Sequence, residues 1–91
     1  MADVIVTFRV MLESPEVDAD DVKEEVVEAV ENYGGKVGKT EIEPIAYGIN
    51  SIKVIFAINE SRGSTEPLEK EISDIEGVNS VDVVDVRRGI G

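Results

Sequence analysis

The spacing of apolar residues predicts an α+β fold, one four-stranded antiparallel sheet with two helices on one face. Three observations carry this reading. Segments of period two alternate with segments of period 3.6, in the order strand, helix, strand, strand, helix, strand. The two β-α-β halves follow the same plan with no low-complexity linker between them. And 91 residues leave room for one core and no second domain, so 1–91 is read as a single unit. A chain of this size buries roughly 60 to 70 % of the surface its unfolded form exposes, enough to fold without staples.

The first strand runs from Val4 to Leu12. Val4, Val6, Phe8, Val10 and Leu12 point one way, and Ile5, Thr7, Arg9 and Met11 the other. Glu13-Ser14-Pro15-Glu16 ends it, since proline cannot donate to a ladder. Asp18 or Asp20 then caps a helix whose face is Val22, Val26, Ala29, Val30 and Tyr33. Gly34-Gly35 stops that helix. Lys36 to Glu43 is a weaker strand of mixed polarity, at an edge or running past the sheet. Pro44-Ile45-Ala46-Tyr47-Gly48 turns the chain. Ile49 to Asn59 is the strongest central strand, with Ile52, Val54, Phe56 and Ile58 on one face. After a loop over 59–63, Ser64 or Thr65 caps a second helix, with Pro67 in its first turn and Leu68, Ile72 and Ile75 as its stripe. Gly77 ends it, and Val78 to Arg88 is the last strand. Its alternation slips between Val83 and Val84, which predicts a bulge or an apolar second face. The expected core is Val4, Val6, Phe8, Val10, Val26, Val30, Ile52, Val54, Phe56, Leu68, Ile72 and Ile75. The element order is that of the ferredoxin-like sandwich, which hosts many unrelated functions.

Composition removes several chemistries. Without cysteine or histidine there is no disulfide framework, no Cys/His zinc site and no Ser-His-Asp triad. No apolar run approaches a membrane span, and Met1 to Val4 carries no leader signal, so a cytoplasmic protein is expected. Twenty acidic against nine basic residues give a formal charge of −11, which repels a phosphate backbone. Solubility accounts for that charge, and attraction to a basic partner is compatible with it.

Candidate sites are few. Asp18, Asp20 and Asp21 resemble a metal cluster, but helix capping explains them and no calcium-loop spacing follows. Neither Gly34-Gly35 nor Gly63-Ser64-Thr65 forms a phosphate-cradling loop, so no nucleotide site, cofactor or metal is expected. Arg9 on the outer sheet face could neutralise an anion, or simply be a solvated strand residue. The apolar turn at 44–48 either folds back on the core or awaits a partner. Arg87-Arg88 makes a local positive tip in an acidic chain, with a solvated tail as the plain alternative.

Read in order, these strings carry a resemblance. Val4-Ile5-Val6-Thr7-Phe8-Arg9-Val10-Met11, then Glu13-Ser14-Pro15-Glu16-Val17-Asp18, Glu43-Pro44-Ile45-Ala46-Tyr47-Gly48-Ile49, Ile75-Glu76-Gly77-Val78 and Val83-Val84-Asp85-Val86-Arg87-Arg88 span nearly the whole chain. Together they resemble the elongation factor 1-beta family in its short archaeal form. The resemblance implies a guanine-nucleotide exchange factor for the GTPase elongation factor 1-alpha, with no active site of its own. It implies that Pro44, Ile45, Tyr47 and Gly48 wedge into the partner. It also implies that Arg88, or Arg87 in its place, brings a positive charge toward the partner's Mg²⁺. The chain departs from eukaryotic members, which end in Gln-Lys-Leu or similar and carry phenylalanine more often than tyrosine in the turn.

Three rivals share the fold. A small-molecule-sensing regulatory module is usually fused to a catalytic domain. An acyl-phosphate hydrolase needs an anion cradle where Glu13-Ser14-Pro15-Glu16 stands. An RNA-recognition sheet needs aromatics on its open face, whereas Phe8 and Phe56 fall on the aliphatic faces.

Overall fold

The computed structural model describes residues 3–62 and 65–88. Its sheet is organised around β1 (Asp3–Leu12), which pairs antiparallel with β3 (Ile49–Asn59) on one side and β4 (Val78–Arg88) on the other. β2 (Lys36–Ala46) adds to the far side of β3, so the order is β2-β3-β1-β4. Helices α1 (Ala19–Tyr33) and α2 (Glu66–Ser73) cover one face and leave the other open. This is the predicted ferredoxin-like βαββαβ arrangement.

The core lies where the periodicities place it. Val6, Phe8, Val10, Leu12, Ile52, Val54, Phe56 and Ile58 meet Val22, Val26, Val30, Leu68 and Ile72 with almost no exposure. Phe8 and Phe56 pack edge to face, ring centroids 4.9 Å apart and planes at 80°. Such a pair contributes about 0.5 to 1.5 kcal/mol beyond its buried area. Val4 and Ile75, expected inside, are only partly buried. Val4 stands at the start of its strand, and Ile75 lies two residues past the end of α2, where no further turn of helix covers it.

The α1 caps follow the local chemistry. Asp18 Oδ1 accepts from the backbone N–H of Asp20 at 3.0 Å and of Asp21 at 3.4 Å. Gly34 closes the helix in the left-handed region at φ 102°, and its N–H donates to the Glu31 carbonyl. The α2 start differs from expectation. Thr65 occupies the cap position, but its hydroxyl donates to Glu69 Oε2 at 3.0 Å instead of binding a backbone N–H. Ser64 lies outside the described residues. A 3-10 turn, Glu60–Arg62, replaces the expected plain loop.

β4 carries the anticipated bulge. The β1 register jumps from Thr7↔Asp85 to Phe8↔Val83, leaving Val84 as the extra residue, and a second shift leaves Asn79 unpaired.

Candidate functional site

The largest correction concerns the segment read as a five-residue turn. Pro44, Ile45 and Ala46 belong to β2, and the reversal is made by Tyr47 and Gly48 alone. Ala46 pairs with Ile49 and Pro44 with Asn50, with a register shift at Ile45. Proline is tolerated because β2 is an edge strand. The β1–β3 pairing reaches only Ser51, so the last rungs of the hairpin stand beyond β1 as a two-stranded arm.

The turn residues have φ of 55° and 76°, positive at both positions as a type I′ hairpin requires. Gly48 meets this freely, and its Cα side lies close to Pro15 of the β1–α1 loop. Tyr47 does not. A side chain in the left-handed region costs about 1 to 2 kcal/mol, and asparagine, aspartate or glycine normally fills this place. Among the described residues it is the one non-glycine at positive φ, and the residue is 94 % exposed. Ile45 beside it is 47 % exposed. The alternative in which the apolar turn packs back on the core is therefore excluded for Tyr47. A strained backbone that presents an unpacked aromatic breaks two local rules with no gain inside the fold.

Arg87 and Arg88 end β4 in a less bare setting than the sequence suggests. Arg87 Nε lies 2.8 Å from Asp85 Oδ2, and Arg88 Nη2 donates to Glu60 Oε2 at 2.6 Å. The tip is thus locally neutralised. Exposed pairs of this kind contribute ~0 to 1 kcal/mol, so either guanidinium can exchange its carboxylate for another partner.

The topology keeps the two groups apart. Arg88 pairs with Val4, which pairs with Ile58, whereas Tyr47 lies two residues before Ile49 on the same hairpin. Nine strand residues separate those levels, about 30 Å at ~3.3 Å per residue, in a molecule 42 Å long. Tyr47 and Arg88 therefore occupy opposite ends of the sheet.

Charge is divided as unevenly. Cross-strand partners share a face. The open face carries Arg9, Lys36, Lys39, Lys53 and Arg87 against Asp3, Glu41, Glu43, Asp82 and Asp85. It is balanced, so the whole formal charge of −11 belongs to the rest of the chain. On that face Lys39 Nζ lies 3.0 Å from Glu41 Oε1, and its hydrogen bond and charge lower the Glu41 pKa from the ordinary carboxylate value.

Residues 5–88 match the EF-1 guanine nucleotide exchange domain family. The chain belongs to that family. Elongation factor 1-beta of Methanothermobacter thermautotrophicus is 41 % identical over 88 residues, covering 97 % of this chain and 98 % of that one. That of Staphylothermus marinus is 37 % identical with coverage of 97 % and 98 %, and that of Methanococcoides burtonii 34 % identical with coverage of 99 % and 100 %. Solved structures show the fold recurring elsewhere. The ACT domain from the GTP pyrophosphokinase of Chlorobium tepidum superimposes with TM-score 0.64 at 12 % identity, over 90 % of this exchange-domain chain and 99 % of its own. The C-terminal domain of the Mycobacterium tuberculosis MgtC protein gives 0.68 at 16 %, over 94 % and 87 %. At such identities the likeness is one of fold alone. No helix among the described residues is long and apolar enough to cross a membrane.

Proposed function

We propose that this chain is a guanine-nucleotide exchange factor that promotes GDP release from elongation factor 1-alpha during translation elongation. Its family membership supports the class of activity, and the relatives are named elongation factor 1-beta. The observation that carries the site is Tyr47, an exposed aromatic held in a strained turn at the tip of an apolar arm. Buried aromatic anchors dominate interface energies, and a fixed backbone removes part of the ordering cost of docking.

A P-loop GTPase grips GDP through its phosphate loop, a lysine and Mg²⁺. An exchange factor binds the state that holds nucleotide and metal poorly, so the two ligands oppose one another. Here Tyr47, flanked by Pro44, Ile45 and Gly48, inserts into the GTPase. At the other end Arg88, or Arg87, leaves its carboxylate and brings positive charge toward the Mg²⁺ site. A guanidinium there opposes the metal by repulsion and by taking its oxygen partners. The chain performs no covalent step and needs no cofactor.

The direct test is release of fluorescently labelled GDP from elongation factor 1-alpha, with and without this chain. Acceleration that depends on chain concentration and disappears with Tyr47→Asn supports the reading. Unchanged release in the presence of folded chain overturns it.

A further inference from the structure

Arg9 and Lys53 are direct cross-strand partners at the centre of the open face. Like charges placed opposite one another oppose sheet formation. Neither side chain takes part in an ion pair or side-chain hydrogen bond among the described residues. Acids stand on the outer side of each, Asp82 across from Arg9 and Glu41 across from Lys53. Glu41, however, is taken by Lys39 at 3.0 Å, and Lys53 is the weakest of the influences on it. In a row of two acids and two cations, Arg9 and Lys53 stand side by side at the centre with no bonded carboxylate.

Beside them lies an open hollow of about 320 Å³, walled by Arg9, Met11, Glu43, Pro44, Ile45 and Ser51. Its floor is already satisfied, since the Ser51 hydroxyl donates to the Glu43 carbonyl at 3.3 Å. The hollow shares Pro44 and Ile45 with the hairpin arm, so the basic pair is continuous with the Tyr47 surface. Arg87 stands on the same face toward the far end, opposite Ile5.

We propose that Arg9 and Lys53 receive an acidic side chain of the partner GTPase, on a docking surface that runs from the hairpin arm across the open sheet. The proposal rests on the exchange-factor reading and adds a contact between its two ends. A partner that spans from Tyr47 to Arg87, which stands on the open face opposite Ile5, covers the middle of the sheet. Covering two cations without an opposing charge would be strongly unfavourable, so the partner must supply an anion there. A carboxylate between the two side chains also relieves their mutual repulsion. The acidic helical layer offers no such site, and it steers the open face, rather than itself, toward a negative group.

The test compares wild type, Arg9→Gln/Lys53→Gln and the charge-keeping Arg9→Lys/Lys53→Arg in binding to nucleotide-free elongation factor 1-alpha at low and high salt. The glutamine variant should bind about tenfold more weakly or worse, with a flatter salt dependence, while the charge-keeping variant recovers most of the affinity. The melting temperature of the glutamine variant should equal or exceed that of wild type, because a repulsive pair has been removed. Unchanged affinity and salt dependence in the glutamine variant, alongside a clear loss in Tyr47→Asn, would overturn the contact and leave the exchange reading standing. Failure of folded wild type to bind or to accelerate GDP release would instead bring down the exchange reading, and this proposal with it. A single-stranded RNA probe that loses binding in the glutamine variant, with GTPase affinity intact, would assign the pair to phosphate and overturn the proposal.

Discussion

At the hairpin end of the sheet, Tyr47 is presented by its backbone: a two-residue turn fixes its direction, and nothing in the fold touches most of its ring. At the β4 end, Arg87 and Arg88 sit on ordinary strand backbone, and their direction is set by Asp85 and Glu60. One group is held by strain, the other by exchangeable ion pairs. The difference suits the proposed division of labour. An anchor works best pre-organised, because ordering it on binding costs affinity. A charge that must compete with a metal works best when it can leave one carboxylate for another at small cost.

The largest effect should come from the frame that keeps the two ends apart. Phe56→Ala removes a ring packed against Phe8 and should lower stability by about 3 to 5 kcal/mol, read by urea unfolding. Exchange should then fall only in step with the unfolded fraction. A folded Phe56→Ala protein with lost exchange would mean that the ends are coupled through the core.

Tyr47→Asn separates anchor from fold. Asparagine accepts the left-handed conformation, so stability should hold or rise by up to about 1 kcal/mol. Stimulated GDP release should drop by roughly 30-fold, the equivalent of ~2 kcal/mol at an interface hot spot. A variant that instead melts at lower temperature would show that the tyrosine supports the turn.

Arg88→Ala should reduce stimulated release by about tenfold, the loss of a charged hydrogen bond of ~1.5 kcal/mol. Binding to the nucleotide-free GTPase should change less. Chelating Mg²⁺ should narrow the gap between variant and wild type, and a gap that persists would make Arg88 a plain interface contact. Glu60→Gln is the milder counterpart. It frees Arg88 from its present partner and should move stability by less than about 1 kcal/mol, with exchange equal to or faster than wild type.

The smallest effect concerns Glu41. Its folded pKa is lowered from the ordinary carboxylate value because Lys39 hydrogen-bonds to it and attracts it. The unfolded chain therefore takes up this proton first as pH falls. The stabilisation is fully present above the ordinary carboxylate range and is lost as pH drops through the lowered folded value. Glu41→Gln should flatten the stability profile in that acidic window and nowhere else.

Much of the architecture was legible because burial imposes a period that a chain of this size cannot hide. The Val83–Val84 slip and the faces of Phe8 and Phe56 follow from residue spacing, which narrowed the α1 cap to Asp18 or Asp20. The site was legible as a list of residues but not as geometry. Pro44 and Ile45 look like turn residues, and only pairing with Asn50 and the strand beyond shows them as an arm. Nothing in a tyrosine announces positive φ, since propensity argues against it. Glu60 and Arg88 are 28 residues apart, and their bond depends on where the 3-10 turn falls. The Arg9–Lys53 juxtaposition likewise needs the register, which one residue of slip would abolish.

The uneven placement of charge has a consequence for how the molecule arrives. A balanced sheet face backed by a helical layer whose acids outnumber Lys23 and Lys70 gives the protein an electric dipole roughly normal to the sheet. In the field of another macromolecule such a body experiences a torque before it makes any contact. A polyanion such as ribosomal RNA would turn the helices away and keep them away. An approaching surface with a negative patch would meet the sheet side first, which shortens the rotational search that limits most protein encounters. That advantage fades within a Debye length of ~8 Å at physiological ionic strength. The helical layer, which touches no partner in this scheme, would thus act on the rate of association from behind.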